Sequence, residues 1–222
     1  MALRSLWELC LADVRSWSQE GLRRHPRDPV LLLASGMAEE TAAAFGRTMN
    51  IAQLVEMRSA AVERSRIDRD LGEARQRYLD ALAADPEQHE ARLRLGRTLS
   101  LQGKAEEGRA ELERVAKAAQ DPALVYLAQL FLARVHDQGG RAPDAERAYR
   151  AALVANPAGQ AAAFGLAQLL GRADGEAGRD VLTGALAHAP RSGTRDAYMA
   201  YHLGITNRAE RELAALRAEV AR

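Results

Sequence analysis

Cysteine, lysine and long apolar runs are nearly missing from this 222-residue chain, and each shortage removes a class of explanation. Cys10 stands alone, which excludes an internal disulfide and a multi-cysteine metal site. It has no evident activating neighbour, so it reads as a small buried hydrophobe rather than a nucleophile. Lys104 and Lys117 are the only lysines; every other positive charge is an arginine, as the codon use of a GC-rich genome favours. No apolar stretch approaches the roughly 20 residues that span a bilayer. Met1 to Leu11 carry Arg4 and Glu8 inside their apolar run and do not read as a signal peptide. The expected compartment is the cytoplasm, or the periplasm or exterior if a leader has been removed. Excess charge is absent too: 31 basic residues face 30 acidic ones, so no overall field draws the chain to nucleic acid or an anionic membrane. A chain of this length, folded compactly, buries roughly 70% of its unfolded surface without covalent staples.

What is present is a period. Pro86, Pro122, Pro157 and Pro190 recur at intervals of 36, 35 and 33 residues near the ends of apolar helical patterns. Before three of them stands one constellation: Ala74, Tyr78, Ala81; Ala145, Tyr149, Ala152; and Gly178, Leu182, Ala185. Gly108, Leu112 and Val115 repeat it before Pro122, with two extra residues in between. Spacings of four and three place the members on one helix face, and the proline ends the helix. Small, large, small along a face is what close packing between neighbouring helices requires. The tyrosines therefore read as core.

A partner pattern precedes each of these helices. Leu95, Gly96 and Leu99 correspond to Leu132, Ala133 and His136, and to Leu166, Ala167 and Leu170. Glycine or alanine beside leucine marks a point where two backbones cross closely. Turns fall at Gly103, at Gly139 and Gly140 with Pro143 opening the next helix, and from Gly171 to Gly175. Each period reads as helix, turn, helix, turn.

These residues resemble the tetratricopeptide repeat, with its leucine-glycine pair in the first helix and alanine, aromatic, alanine, proline in the second. The resemblance runs from about Leu71 to Pro190. It implies an all-α, right-handed α-solenoid of antiparallel helix pairs with the first helices lining a concave side. There are departures: the early tryptophan of the first helix is absent, Gly108 and Gly178 stand where alanine is commoner, and His136 replaces an aromatic. Looser packing is expected at those helices.

Outside that span the pattern is damaged. Val14, Ser18, Gly21 and Pro26 keep second-helix spacing, and Leu3 to Arg24 reads as one helix, a degenerate N-terminal cap over 1–28. From Gly36 to Ala74 there are 38 residues, against 12 from Gly96 to Gly108, so the repeat at 29–87 holds about 26 inserted residues. The insertion is expected to lengthen one or both helices of an elongated pair, with a turn near Gly46 to Asn50 or near Asp68 to Gly72. Repeats are expected at 88–122, 123–157 and 158–190, with C-terminal capping helices over 191–222. There Leu203 and Gly204 echo the first-helix pair, and Asn207 with Glu210 forms a capping box ahead of Ala209, Leu213 and Leu216.

The resemblance assigns a groove. Leu93, Arg97 and Ser100, then Leu130, Arg134 and Asp137, then Phe164 and Gln168 are the residues expected to face it. The expected function is a protein–protein interaction scaffold that binds a peptide or protein with acidic and apolar side chains there. The alternative is that both arginines are solvated and their neighbours belong to the core between repeats. The lysines and asparagines that clamp a C-terminal carboxylate in one subtype are not in place. An RNA-binding helical repeat, or a regulatory or localising part of a larger enzyme, are the competing readings, and a net charge of +1 argues against the first.

No catalytic constellation emerges, and no cofactor or metal is expected. Six residues separate Gly96 from Gly103, and alanine follows Lys104, so this stretch is not a phosphate loop. His25, His89, His136, His188 and His202 show no metal-ligand spacing.

Overall fold

Aspartate and proline mark where several helices begin. Asp28 precedes Pro29, and its Oδ1 accepts the backbone N–H groups of Val30 at 2.9 Å and Leu31 at 3.0 Å. Asp121 precedes Pro122 and accepts from Ala123 at 2.9 Å. Each carboxylate caps orphan donors that proline, lacking an N–H, leaves fewer of. The computed structural model describes residues 2–50, 57–187 and 197–202. They form α1 (Ala2–Arg24), α2 (Pro29–Asn50), α3 (Met57–Ala84), α4 (His89–Leu101), α5 (Ala105–Ala118), α6 (Pro122–Gln138), α7 (Ala142–Ala155), α8 (Gln160–Gly171), α9 (Gly175–Ala187) and α10 (Ala197–His202). No strand occurs among the described residues.

Helices α2 to α9 make four pairs, α2 with α3, α4 with α5, α6 with α7 and α8 with α9, each pair packed on the next. The first helices also touch in series, α2 on α4, α4 on α6 and α6 on α8, so they share one face of an all-α solenoid. The tight turns at Gly103 (φ 80°) and Gly140 (φ 70°) reverse the chain inside two of the pairs, in the left-handed region that glycine enters without penalty.

The core follows the small-large rule. Tyr78, Tyr126, Leu112 and Leu166 are buried, and so are the alanines beside them. Gly36 of α2 lets the Tyr78 ring through: a Cβ there would lie 2.5 Å from the ring. Gly165 does the same for Tyr149, whose Cζ would also be 2.5 Å away. Burying each such ring contributes about 1.5–3 kcal/mol.

Several sequence expectations need correction. Gly108 and Gly178 are not signs of loose packing. A Cβ on Gly108 would stand 2.6 Å from the Gly96 carbonyl oxygen, and one on Gly178 would stand 2.8 Å from that of Ala167. An alanine at either position would force the backbones apart. Pro122 opens α6 and does not close α5, which ends at Ala118, because the two extra residues carry the proline past the turn. The insertion lengthens both members of its pair, to 22 and 28 residues. Helix α3 runs unbroken through Asp68 to Gly72, where one turn was anticipated, and α2 runs to Asn50, with residues 51–56 between the two helices outside the described ones. Without proline, both stretches simply propagate helix. Pro190, His188, the side chain of Cys10, and the Leu203–Gly204 and Asn207–Glu210 features lie outside the described residues.

Candidate protein-binding face

Helices α2, α4 and α6 each send polar or aromatic side chains to the face they share, and α10 lies across it. At its centre is Glu40 of α2, a carboxylate that is 5% exposed in a helix otherwise rich in alanine and leucine. Its Oε2 accepts the Tyr78 hydroxyl at 2.8 Å and the Arg94 Nη1 at 3.2 Å. Its Oε1 accepts the hydroxyl of Tyr201 from α10. Arg97 Nε stands 3.6 Å from the same oxygen, an ion-pair distance too long for a hydrogen bond. Arg94, itself 2% exposed, also donates through Nε to Glu90 Oε1 at 3.2 Å. Two carboxylates thus balance two guanidiniums in the interior, which a buried charge needs if it is not to be strongly destabilising.

Above this layer the guanidiniums meet aromatic faces. Arg94 Cζ lies 4.2 Å from the Tyr201 ring centroid, Arg97 Cζ 4.5 Å from that of Phe131, and Arg134 Cζ 4.5 Å from that of Tyr198. Arg134 Nη1 donates to the Tyr198 hydroxyl at 2.7 Å. Phe131 packs edge-on against Tyr201 with centroids 5.1 Å apart. Burial, then the Glu40 charge, pushes the Tyr78 and Tyr201 phenols well above their ordinary value, so both remain donors. His202 is driven the other way: burial and then the Arg97 charge lower it to about 4, and the ring is neutral at pH 7. The space left among Glu40, Arg94, Arg97, Tyr201 and His202 is about 20 Å³, room for a water molecule and nothing larger.

The residues assigned to the groove from sequence separate into groups. Arg97 and Arg134 do reach the shared face, where α10 brings them together. Phe164, 58% exposed, and Gln168 project from α8 one turn apart and are open to solvent. Leu93 and Leu130 are fully buried and cannot touch a partner. Helices α4 and α6, which carry them, are each packed by the pair before and the pair after, which leaves only a narrow stripe for the face. Ser100 is turned inward as well: its hydroxyl donates to the Gly96 carbonyl at 2.8 Å, and it packs beside Gly108. Asp137 is held by Arg172 Nη1 at 2.7 Å, a tie between successive pairs. Arg141 makes the same 35-residue tie to Glu106 at 3.1 Å.

Sequence reasoning missed Glu40, Arg94, Phe131, Tyr198, Tyr201 and His202. The available signals were Glu39 and Glu40 within an apolar helix, and the placing of two of the five tyrosines three residues apart near the C-terminus. Glu39 has its own partner, an ion pair with Arg15 of α1. Among the described residues no group of three or more His, Cys, Asp or Glu side chains could hold a metal ion, and no helix is long and apolar enough to cross a membrane.

Comparison with known proteins agrees with this architecture. A family model described as tetratricopeptide repeat matches residues 66–130, which run from α3 into α6. Among solved structures, PilF of Pseudomonas aeruginosa is similar with a TM-score of 0.62 at 16% identity, covering 99% of this chain and 84% of that one. MamA, residues 41 to the end, from Desulfovibrio magneticus RS-1 is similar with a TM-score of 0.56 at 19% identity, covering 83% and 92%. Another MamA crystal structure gives a TM-score of 0.56 at 16% identity over 79% and 85%. At these identities the likeness concerns the fold alone. No curated protein matches the sequence. The tetratricopeptide signature is thus matched in residues 66–130, within an all-α solenoid whose small-large helix pairs repeat along α2 to α9.

Proposed function

We propose that the chain is a protein–protein interaction scaffold, binding a peptide or protein partner on the face shared by α2, α4, α6 and α8. One observation carries this reading: that face already holds a helix, α10, through hydrogen bonds, cation–π contacts and edge-on aromatic packing. A surface built this way offers aromatic anchors and guanidiniums, the groups that dominate protein interfaces. Phe164 and Gln168 extend it along α8, where the ring stands exposed among the described residues.

A photoreactive amino acid placed at position 164, and separately at the exposed Val154 on the second helix α7, tests this in the source cells. Capture of a discrete protein from position 164 and not from 154 is expected. Equal capture from both positions, or none from 164, would remove the assignment of the face.

A further inference from the structure

Helix α10 does not continue the stack. A further first helix would lie on α9, whereas α10 packs on α6 and sets Tyr201 beside Glu40, 161 residues earlier in the chain. A helix that only closed the end of a solenoid would need apolar cover and nothing more. This one delivers two phenols to two different charged partners. Tyr201 donates to the buried Glu40 carboxylate, and Tyr198 accepts from Arg134. Each ring also lies under a guanidinium, that of Arg94 or Arg134, while Met199 between them is 53% exposed. Residues three apart fall on one side of a helix, so a Tyr-x-x-Tyr helix presents both rings at once.

We propose that the face is a receptor for a short helix carrying Tyr-x-x-Tyr, and that α10 is its resident ligand, displaced by a partner helix of the same chemistry. The proposal rests on the function proposed above and supplies its specificity. Tyrosine fits where its competitors do not. A carboxylate ligand, which the paired arginines alone would invite, meets Glu40 and finds Arg94 already neutralised by Glu40 and Glu90. Phenylalanine leaves a lone pair of a buried carboxylate without its donor. A phosphorylated tyrosine would set a second negative charge against Glu40.

Residency in cis also sets a threshold. Nine residues of chain join Ala187 to Ala197, and a tether of that length gives an effective concentration on the order of millimolar. A partner must outcompete that local concentration, and weak or partial matches are rejected.

The test uses the full chain and a fluorescein-labelled peptide of residues 195–204. The double variant Tyr198→Ala, Tyr201→Ala empties the face. It is expected to bind the peptide at least tenfold more tightly than the unmodified chain does. A peptide with Tyr201→Phe should bind the emptied chain about ten- to hundredfold more weakly, the range for losing a hydrogen bond to a charged buried group. A folded double variant that leaves the peptide unbound, or that binds the tyrosine and phenylalanine peptides equally, overturns the proposal. Should the double variant fail to fold, the unmodified chain is treated with excess isotope-labelled peptide and probed by hydroxyl radicals. Faster modification of the chain's own Tyr201 supports displacement, and an unchanged rate refutes it. A dimer that becomes a monomer in the double variant would place α10 on a second copy and overturn residency in cis. If peptide binding fails while selective capture at position 164 persists, the face remains a partner site and only its tyrosine selectivity is lost.

Discussion

Replacing one glycine by alanine at two helical positions should change stability in opposite directions. Gly72 lies within α3 and a Cβ there meets nothing within 4 Å. Alanine at that site gains helix propensity and loses unfolded-state freedom, worth about 0.4–1 kcal/mol. Gly108 in α5 gains the same propensity, but its new methyl would stand 2.6 Å from the Gly96 carbonyl oxygen and 2.9 Å from the Ser100 nitrogen. Both obstacles are backbone, so α4 and α5 must part by roughly 0.8 Å to restore ordinary contact at 3.4 Å. Overpacking of this kind costs about 1–3 kcal/mol and exceeds the gain. Gly72→Ala should therefore be the more stable of the two by about 1–3 kcal/mol, on the order of 2–12 °C in a chain this size. Thermal and urea unfolding followed by circular dichroism measures it, with midpoints compared directly because repeat arrays need not unfold in one step. A Gly108→Ala variant as stable as the parent would refute the close-crossing argument. So would a destabilised Gly72→Ala.

Further outcomes follow from the charged groups. The His202 ring has its docked pKa near 4, below the ordinary 6.5, with Arg97 and Arg94 of α4 and Arg134 of α6 disfavouring its proton and Glu40 of α2 favouring it. Above about pH 6.5 both docked and released rings are neutral; as pH falls from there toward 4, the released form takes up the proton first. Docking of α10 should weaken across that window by about 1–2 kcal/mol, discounted for the ring's partial exposure. His202→Gln should flatten the dependence of Tyr201 protection on pH between 6.5 and 4.5, and an unaltered profile would exclude His202 as its source. Arg172→Ala removes the tie to Asp137, but the guanidinium is 62% exposed, so unfolding midpoints should not move measurably. Glu40→Gln leaves Arg94 and Arg97 in the interior with one carboxylate instead of two. It should destabilise the chain by about 2–4 kcal/mol in urea unfolding, and a neutral result would remove Glu40 from the centre of the network.

The period was legible in the sequence because it is local. Ala74, Tyr78 and Ala81 lie on one helix face, and the glycine or alanine opposite each ring lies within the same pair or the next, so spacing and size alone announced the contacts. The identity of the groove residues was only partly legible. Arg97 and Arg134 stood out as charges in leucine-rich helices, yet Leu93 and Leu130 share their helical stripe and are buried. A stripe read at steps of three and four cannot tell the narrow open edge of a stacked helix from the flanks its neighbours cover. The role of α10 was not legible at all. No local pattern links Tyr201 to Glu40 across 161 residues, and the contact exists only because the stack brings α2, α4 and α6 side by side.

Hydroxyl-radical footprinting of the unmodified protein reads the docked state of α10 most directly. Tyr201 is 5% exposed and Met199, two residues away, is 53% exposed. With α10 seated on the face, Tyr201 should be modified far more slowly than in the urea-unfolded chain, while Met199 oxidises readily in both. A Tyr201 that reacts as fast in the native protein as in the unfolded one would mean that α10 does not occupy the face.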